Sequence, residues 1–176
     1  MSEPKAQDAD AVDAVDAVVE AWRRERPDLN LEAIAVAGRL GRIGLLLAPA
    51  QEAVFSEFGL QKGEFDVLAS LRRSGDPYTL RPSQLSATLM LTRAGMTNRL
   101  DRLEAAGLVE RTLDPADRRS FRVRLTDKGY GTVDKAMTAH TANVTRLLSA
   151  LDGTRLGTLD ELLRSLLRAL EDQPEQ

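Results

Sequence analysis

The fold of this chain is decided by residues 81–126, which read RPSQLSATLMLTRAGMTNRLDRLEAAGLVERTLDPADRRSFRVRLT. A short apolar helix comes first, and after a brief turn a second helix is predicted from Thr92, its N-cap, to Gly107. Two alternating runs follow, 108–113 and 121–125, joined by a turn rich in Asp, Pro and Arg. Two helices with a tight turn predict a helix-turn-helix, and the hairpin after them predicts a wing. This architecture places its second helix in the major groove of DNA.

The second helix has an apolar side and a small, polar side. At about 100° per residue, Met96, Leu100 and Leu103 fall together and predict the side that faces the core. On the other side, Asn can pair with adenine, and Ala or Thr can contact a thymine methyl group. An ordinary amphipathic helix is the alternative, but the hairpin that follows favours DNA binding. The helix residues predicted to contact DNA are Thr92, Arg93, Ala94, Gly95, Thr97 and Asn98.

The hairpin is unusually rich in arginine. Residues 114–124 read DPADRRSFRVR, and the apolar residues of the second strand alternate with arginines, which predicts one packed and one cationic face. An Arg at a hairpin tip suits the narrow minor groove, whose negative potential attracts guanidinium groups. We therefore predict that Arg118 and Arg119 contact DNA and that Asp117 orients one of them. An ordinary exposed turn would explain the Asp and Pro residues but not the arginines.

Length and composition are those of an ordinary globular protein. The chain has 176 residues, of which 43% are hydrophobic and 29% charged, so it can bury a sizeable core. No apolar run reaches the roughly 18 residues that a membrane-spanning helix needs. The start, MSEPKAQDAD, is acidic and polar, unlike a signal peptide. A cytoplasmic location is therefore expected.

The residue inventory argues against catalysis, cofactors and metals. The chain has no Cys and a single His, His140, which lies on an apolar stripe and is expected to be structural. No nucleophile–His pair, phosphate-binding loop or metal cluster is visible, so we expect neither an enzyme nor a cofactor. A winged-helix adaptor that binds protein instead of nucleic acid remains an alternative, which salt dependence would separate from a DNA-binding protein.

Charge is unevenly distributed along the chain. The net charge is −3, but residues 1–20 hold six acidic residues against one Lys, whereas residues 92–124 hold eight Arg against five acidic residues. A local basic surface on an acidic body favours specific docking on DNA over general electrostatic adhesion.

The predicted fold is mainly α with a small β-hairpin wing, and four parts are expected. Residues 1–9 form a disordered arm, and 10–58 form N-terminal helices that dimerise and wall an effector pocket, the first capped by Asp10. Residues 59–125 form the winged helix-turn-helix lobe that binds DNA, and 126–172 form leucine-rich C-terminal dimerisation helices. Because these terminal helices are too apolar to be exposed, we expect a two-fold homodimer on a pseudo-palindromic operator, with recognition helices about 34 Å apart.

Three glycines interrupt the long helix predicted near residues 30–58. Gly38, Gly41 and Gly44 each cost about 1 kcal/mol of helix stability relative to Ala. Their spacing is explained if another helix passes close by, and we predict that this is the first helix or its copy in a second subunit.

The lobe resembles the MarR family of winged-helix repressors. The resemblance rests on LDRLEAAGLVER, DPADRRS and LTDKG within residues 89–129 and extends over roughly 31–170. It implies a dimer that a small molecule releases from its operator, although activation instead of repression stays open. It also implies that residues 92–106 form the recognition helix and that the D-x-R element, Asp117 and Arg119, places an arginine in the minor groove. The absence of Cys departs from the family's peroxide-sensing branch.

Two further stretches resemble the urate-responsive branch of that family. Residues 22–29 match its W-x-R-E-R-P-D-L helix end, and residues 71–82 match its LRRSGxPYxLxP segment. The resemblance implies that a urate-like, anionic aromatic ligand disturbs an Asp and shifts the recognition helix through an Arg. A surface ion pair and a core Trp, in a regulator with no purine response, are the alternative. The implied ligand-binding residues are Trp22, Asp66, Arg73 and Arg99.

Overall fold

The structure is a computed structural model that describes residues 12–90, 92–114 and 117–173, without the side chains of residues 93 and 117–119. The predicted disordered arm, 1–9, lies outside the described residues. The elements in chain order are α1 (Ala14–Glu25), α2 (Glu32–Ser56), α3 (Lys62–Arg73), β1 (Thr79–Leu80), α4 (Pro82–Thr88), α5 (Arg93–Ala105), β2 (Val109–Asp114), β3 (Asp117–Leu125), α6 (Asp127–Leu147) and α7 (Gly153–Glu171). The mainly helical winged fold predicted from the sequence is confirmed. The short strand β1 was not predicted.

The chain divides into two compact units, residues 1–49 and 50–176. In the N-terminal unit, α1 begins after Asp13. The Asp13 side chain accepts a hydrogen bond from the Asp16 backbone N–H (3.0 Å), and the Asp16 side chain accepts one from the Asp13 backbone N–H (2.9 Å). This capping box satisfies donors that the helix start leaves unpaired. The prediction of Asp10 as the cap was wrong, because the helix begins later.

Helix α1 crosses α2 at a glycine. A Cβ added at Gly38 would lie 3.1 Å from Cγ1 of Val15, so the missing side chain allows the close approach. Arg39 then pairs with both Asp13 and Asp16 of α1. The predicted close approach is confirmed at Gly38.

Helix α2, predicted near residues 30–58, is more apolar than expected. It contains an 18-residue window with a mean hydropathy of 1.4, enough by length and composition to cross a membrane. The expectation that no run passes this test was wrong. Arg39 and Arg42 nevertheless lie within this helix, and charged residues in the middle of a membrane span are costly. We therefore interpret the apolar surface of α2 as one for packing against protein.

The C-terminal unit encloses the core. Its three-stranded antiparallel sheet has the order β1-β3-β2, with Val123 of the central strand paired to Leu80 on one side and Arg111 on the other. Helices α3, α4, α5 and α6 pack around this sheet. The most deeply buried apolar residues of this unit are Phe55, Val67, Leu68, Leu71, Leu85, Met96, Leu100, Leu103, Val123, Val133 and Ala136.

Helix α6 is seated against the end of the recognition helix. The Thr126 side chain caps α6 by accepting from the Gly129 N–H (3.0 Å) and donates to the Gly107 carbonyl (2.8 Å). A Cβ at Gly129 would lie 1.9 Å from the Leu108 carbonyl oxygen, so only glycine fits there. The loop after α5 and the start of α6 therefore move as one piece.

Candidate DNA-binding surface and adjoining pocket

Helix α5 follows a tight turn after α4 and presents the two sides that the sequence predicts. Its N-cap, Thr92, accepts a hydrogen bond from the Gly95 N–H at 3.2 Å. The apolar residues Met96, Leu100 and Leu103 are each only 1% exposed. The predicted core face of the helix is therefore confirmed.

The opposite side of α5 faces solvent. Ala94, Thr97 and Asn98 are exposed, and Gly95 is half-buried. The side chain of Arg93 lies outside the described residues. That this surface contacts DNA, and which bases it reads, stays a prediction.

A buried carboxylate fixes the base of the wing. Asp114, at the end of β2, is 1% exposed and lies 2.7 Å from Nε of Arg81, before α4, and 2.9 Å from Nη2 of Arg122 on β3. Two guanidinium groups offset the cost of burying this charge. This site was not predicted from the sequence, whose alternation places Arg122 on a cationic face.

The other strand arginine is also paired. Arg124 lies 2.6 Å from Oε1 of Glu110 on β2, so the predicted cationic face carries acidic partners. At the tip, the side chains of Asp117, Arg118 and Arg119 lie outside the described residues. Their predicted roles, including the orienting role of Asp117, stay predictions.

Arg111 of β2 ties the wing to the recognition helix. Its guanidinium pairs with Asp101 and approaches Glu104 of α5 at 3.3 Å. The same group lies 5.1 Å from the ring centroid of Phe121 on β3, within the range of a cation–π contact. Helix and wing therefore form one surface.

Two of the predicted ligand residues share a pocket between α3 and α6. The pocket has a volume of about 470 Å³. Asp66 receives a hydrogen bond from Nζ of Lys62 at 3.1 Å, and Nη2 of Arg73 donates to Oγ of Ser70 at 3.0 Å. Both contacts are local within α3, so they can be exchanged for contacts with a ligand. The lining residues are Phe65, Asp66, Ala69, Arg72, Arg73, Leu89, Val133, Asp134, Met137 and His140.

The other two predicted ligand residues lie elsewhere. The Arg99 guanidinium of α5 rests on Gly63, where an added Cβ would be 2.3 Å from Nε. Its Nη1 is buried without a hydrogen-bond partner among the described residues. Trp22 belongs to the N-terminal unit, on α1, and is 51% exposed. Arg99 therefore sits one helical turn from Asp66 on α3, outside the pocket lining.

Comparison with known proteins identifies the group to which this chain belongs. The profile described as the MarR family matches residues 58–120. The HTH-type transcriptional regulator PecS of Dickeya dadantii (strain 3937) is 44% identical over 132 residues, which cover 75% of this chain and 80% of PecS. The chain belongs to the MarR family.

Solved structures of other MarR-family members have the same fold. AbsC from Streptomyces coelicolor has a TM-score of 0.71 and 27% identity, covering 82% of this chain and 97% of AbsC. A mutant MarR from E. coli, complexed with operator DNA, has a TM-score of 0.67 and 26% identity, covering 78% of this chain and 97% of that MarR chain. This MarR-family chain is a DNA-binding transcriptional regulator, and its relatives are regulators, not enzymes.

One cluster in the pocket wall of this MarR-family protein was not predicted. Nε of Arg72 donates to Oδ1 of Asp134 (2.8 Å), and Nη2 donates to the hydroxyl of Tyr130 (2.9 Å). The hydrogen bond to Asp134 is the main reason that the pKa of Arg72 lies above its ordinary value. Desolvation raises the pKa of Tyr130. The guanidinium therefore stays charged and links α3 to α6.

His140 packs against two aromatic rings, and its Nδ1 is buried without a hydrogen-bond partner among the described residues; that its role is structural stays a prediction. Its ring centroid lies 5.1 Å from that of Phe55 and 5.5 Å from that of Phe65. These aromatic contacts hold α6 against α3 and form the apolar end of the pocket.

Proposed function

We propose that this MarR-family regulator is a homodimeric repressor released from a pseudo-palindromic operator by a small anionic aromatic ligand, urate or another purine. The proposal rests mainly on α3. This helix contributes Asp66 and Arg73 to the pocket wall. Its Gly63 lies directly against the Arg99 guanidinium of the recognition helix. A ligand that moves α3 would therefore move the recognition helix directly.

Dimerisation is supported by the exposed apolar faces of the terminal helices. In α2 the side chains of Leu45 and Leu46 are exposed. Large exposed apolar surfaces mark protein interaction sites, and a second copy of the chain is the simplest partner. A cytoplasmic location is proposed with it, because the operator is there. The exposed leucines of α7 are Leu156, Leu162, Leu163, Leu166, Leu167 and Leu170.

The proposed dimer reads DNA with paired helices and wings. The bases would be read from Asn98 and its small neighbours, and the minor groove by the arginines of the wing tip, one of them oriented by Asp117. The proposed DNA contacts are Thr92, Arg93, Ala94, Gly95, Thr97, Asn98, Arg118 and Arg119.

In the ligand-binding step, Arg73 attracts the anion and Asp66 senses it. An anionic ring near Asp66 destabilises the negatively charged carboxylate, since like charges repel. Trp22 is proposed to stack on the ring and Arg99 to carry the change into α5. A coupling free energy of about 1–3 kcal/mol would weaken operator binding roughly 5- to 150-fold.

The test is a fluorescence anisotropy titration of the DNA upstream of the protein's own gene, with and without urate or xanthine. Release of the wild type and loss of that release in Arg73→Ala are expected. Lys135→Ala, which removes an exposed positive charge from α6 outside the pocket lining, is the matched control and should respond like the wild type. If millimolar purine leaves the complex intact, the ligand proposal is wrong while the DNA-binding function stands.

A further inference from the structure

A strained residue lies between the pocket and the wing. Tyr78 has φ = 56°, in the left-handed region that bulky side chains rarely adopt. Such a conformation costs free energy and persists only where its surroundings hold it. Its ring is held by two neighbours: the Arg72 guanidinium lies 5.3 Å from the ring centroid, and the Tyr130 ring is 5.2 Å away.

The same Arg72 borders the pocket. Both Arg72 and Asp134 line it, together with Asp66 and Arg73. The Arg72 guanidinium also lies 4.4 Å from the ring centroid of Tyr130. One cation thus faces the cavity and holds two aromatic rings.

The backbone next to Tyr78 is hydrogen-bonded to the wing strand β3. The Leu125 backbone N–H at the end of β3 donates to the Tyr78 carbonyl at 3.2 Å. The next two residues form β1, which pairs with β3 at Arg124 and Val123. Arg81 follows and holds the buried Asp114 at the base of the wing. A change in the backbone at Tyr78 is therefore passed to β3 through hydrogen bonds.

We propose that Arg72 is the residue through which an anion in this pocket acts on the wing. This inference rests on the proposed function and adds a second route beside the one through Arg99. The anion competes with Asp134 for the Arg72 guanidinium, which exchanges one charge-assisted hydrogen bond for another. As the guanidinium turns toward the cavity, the stack on Tyr78 opens, the strained backbone relaxes and β1 shifts β3.

The test exploits the absence of cysteine from the chain. Thr112→Cys on the exposed part of β2 gives a single site for a trifluoromethyl label, whose ¹⁹F chemical shift is read without DNA. Urate binding is measured separately by calorimetry, and urate-induced release by anisotropy. In the labelled protein with otherwise natural sequence, urate is expected to move the ¹⁹F signal.

Arg72→Lys keeps the positive charge but loses the planar group that stacks and forms paired hydrogen bonds. It is expected to bind urate more weakly, because one hydrogen bond to the anion is lost. At urate concentrations that saturate it in calorimetry, its ¹⁹F response and its release from DNA should both be at least ~3-fold smaller than in the parent protein. Arg146→Lys, on α6 outside the pocket lining, is the control and should behave like the wild type. A full ¹⁹F response in urate-saturated Arg72→Lys overturns the proposal.

Tyr78→Gly gives a second, independent reading, because glycine adopts the same φ without strain and removes the stacked ring. Its ¹⁹F signal should already differ from that of the parent protein, and urate should move it at least ~3-fold less than in the parent, because only the route through Arg99 remains. A urate response as large as that of the parent overturns the proposal, even if Arg72→Lys had lost urate binding. If the parent protein itself binds no urate, the proposed function fails, and the ¹⁹F shift of ligand-free Tyr78→Gly still decides whether the stack controls the wing.

Discussion

The recognition helix and the wing are held in place by different forces. Helix α5 is anchored by Met96, Leu100 and Leu103, which are buried in the shared core. The wing contributes Val123 to the same core, but unlike α5 it also has a buried ionic anchor at its base, Asp114 and its two guanidinium partners. Apolar packing is non-directional and involves no charge that salt can screen, whereas ionic contacts are screened and can be exchanged for contacts with other ions. Substitutions in the apolar core and in the ionic anchor are therefore expected to differ in the size of their effects.

The largest effect is expected from breaking the apolar anchor. Leu100→Ala removes a side chain that is 1% exposed, and such changes lower the free energy of unfolding by about 2–5 kcal/mol. Urea denaturation followed by circular dichroism measures it. Operator binding should fall together with stability, because α5 loses packing contacts with the core. Leu113→Ala, at an exposed position of β2, is the control, and an equal loss there would contradict the assigned core.

Asp114→Asn tests the ionic anchor with a nearly isosteric change. We expect a loss of about 1–3 kcal/mol, the range for hydrogen bonds to charged groups, because Arg81 and Arg122 are still partly solvated. Hydrogen exchange should quicken in β2 and β3 while α5 stays protected, and operator affinity should fall about tenfold, equivalent to ~1.4 kcal/mol.

The control for the ionic anchor is Glu110→Gln, which breaks a solvent-exposed pair with Arg124 and should change stability by less than about 1 kcal/mol. Equal effects of the two substitutions would mean that burial of Asp114 does not matter. Loss of protection in α5 as well would mean that the contacts of Arg111 with α5 pass the change from the wing to the helix.

This difference in forces also explains what the sequence could reveal. Periodicity within one helix identifies Met96, Leu100 and Leu103 as the core face, since the repeat is local. The partners of Asp114 come from two separate elements, so no spacing rule connects them. In the same way, Arg72 and Asp134 lie 62 positions apart, and only the folded chain joins them. The motif resemblance predicted ligand roles for Asp66 and Arg73, which line one pocket, but gave no signal for Arg72.

A third change separates the position of the recognition helix from its coupling to α3. Gly63→Ala places a methyl group where the Arg99 guanidinium rests, 2.3 Å from Nε. The flexible side chain can move aside, so stability should change by less than about 1 kcal/mol. Purine-induced release should shrink at least ~3-fold, while affinity for DNA without ligand stays close to the wild type.

The measurement for Gly63→Ala is the ratio of operator dissociation constants with and without urate. Gly131→Ala is the matched control, because an added Cβ there meets nothing within 4 Å. An unchanged ratio in Gly63→Ala would show that the contact between Arg99 and Gly63 does not couple ligand binding to DNA release.

The smallest effect is expected where both ionic partners are exposed, as at the start of α1. Hydrogen bonding to Arg39 is the main reason that the pKa of Asp13 lies below its ordinary value of 3.8. Because the folded pKa is depressed, the contribution of Asp13 is fully present above the ordinary value and is lost as the pH falls through the folded one. Between pH 6 and 8 the helix content of α1 should therefore stay constant, and below about pH 4 it should decline. Circular dichroism should show a smaller acid-induced decline in Asp13→Asn than in the wild type. Asp172→Asn, at the end of α7, is the control and should keep the full decline. An identical decline in both variants would mean that the cap and its ion pair do not stabilise α1.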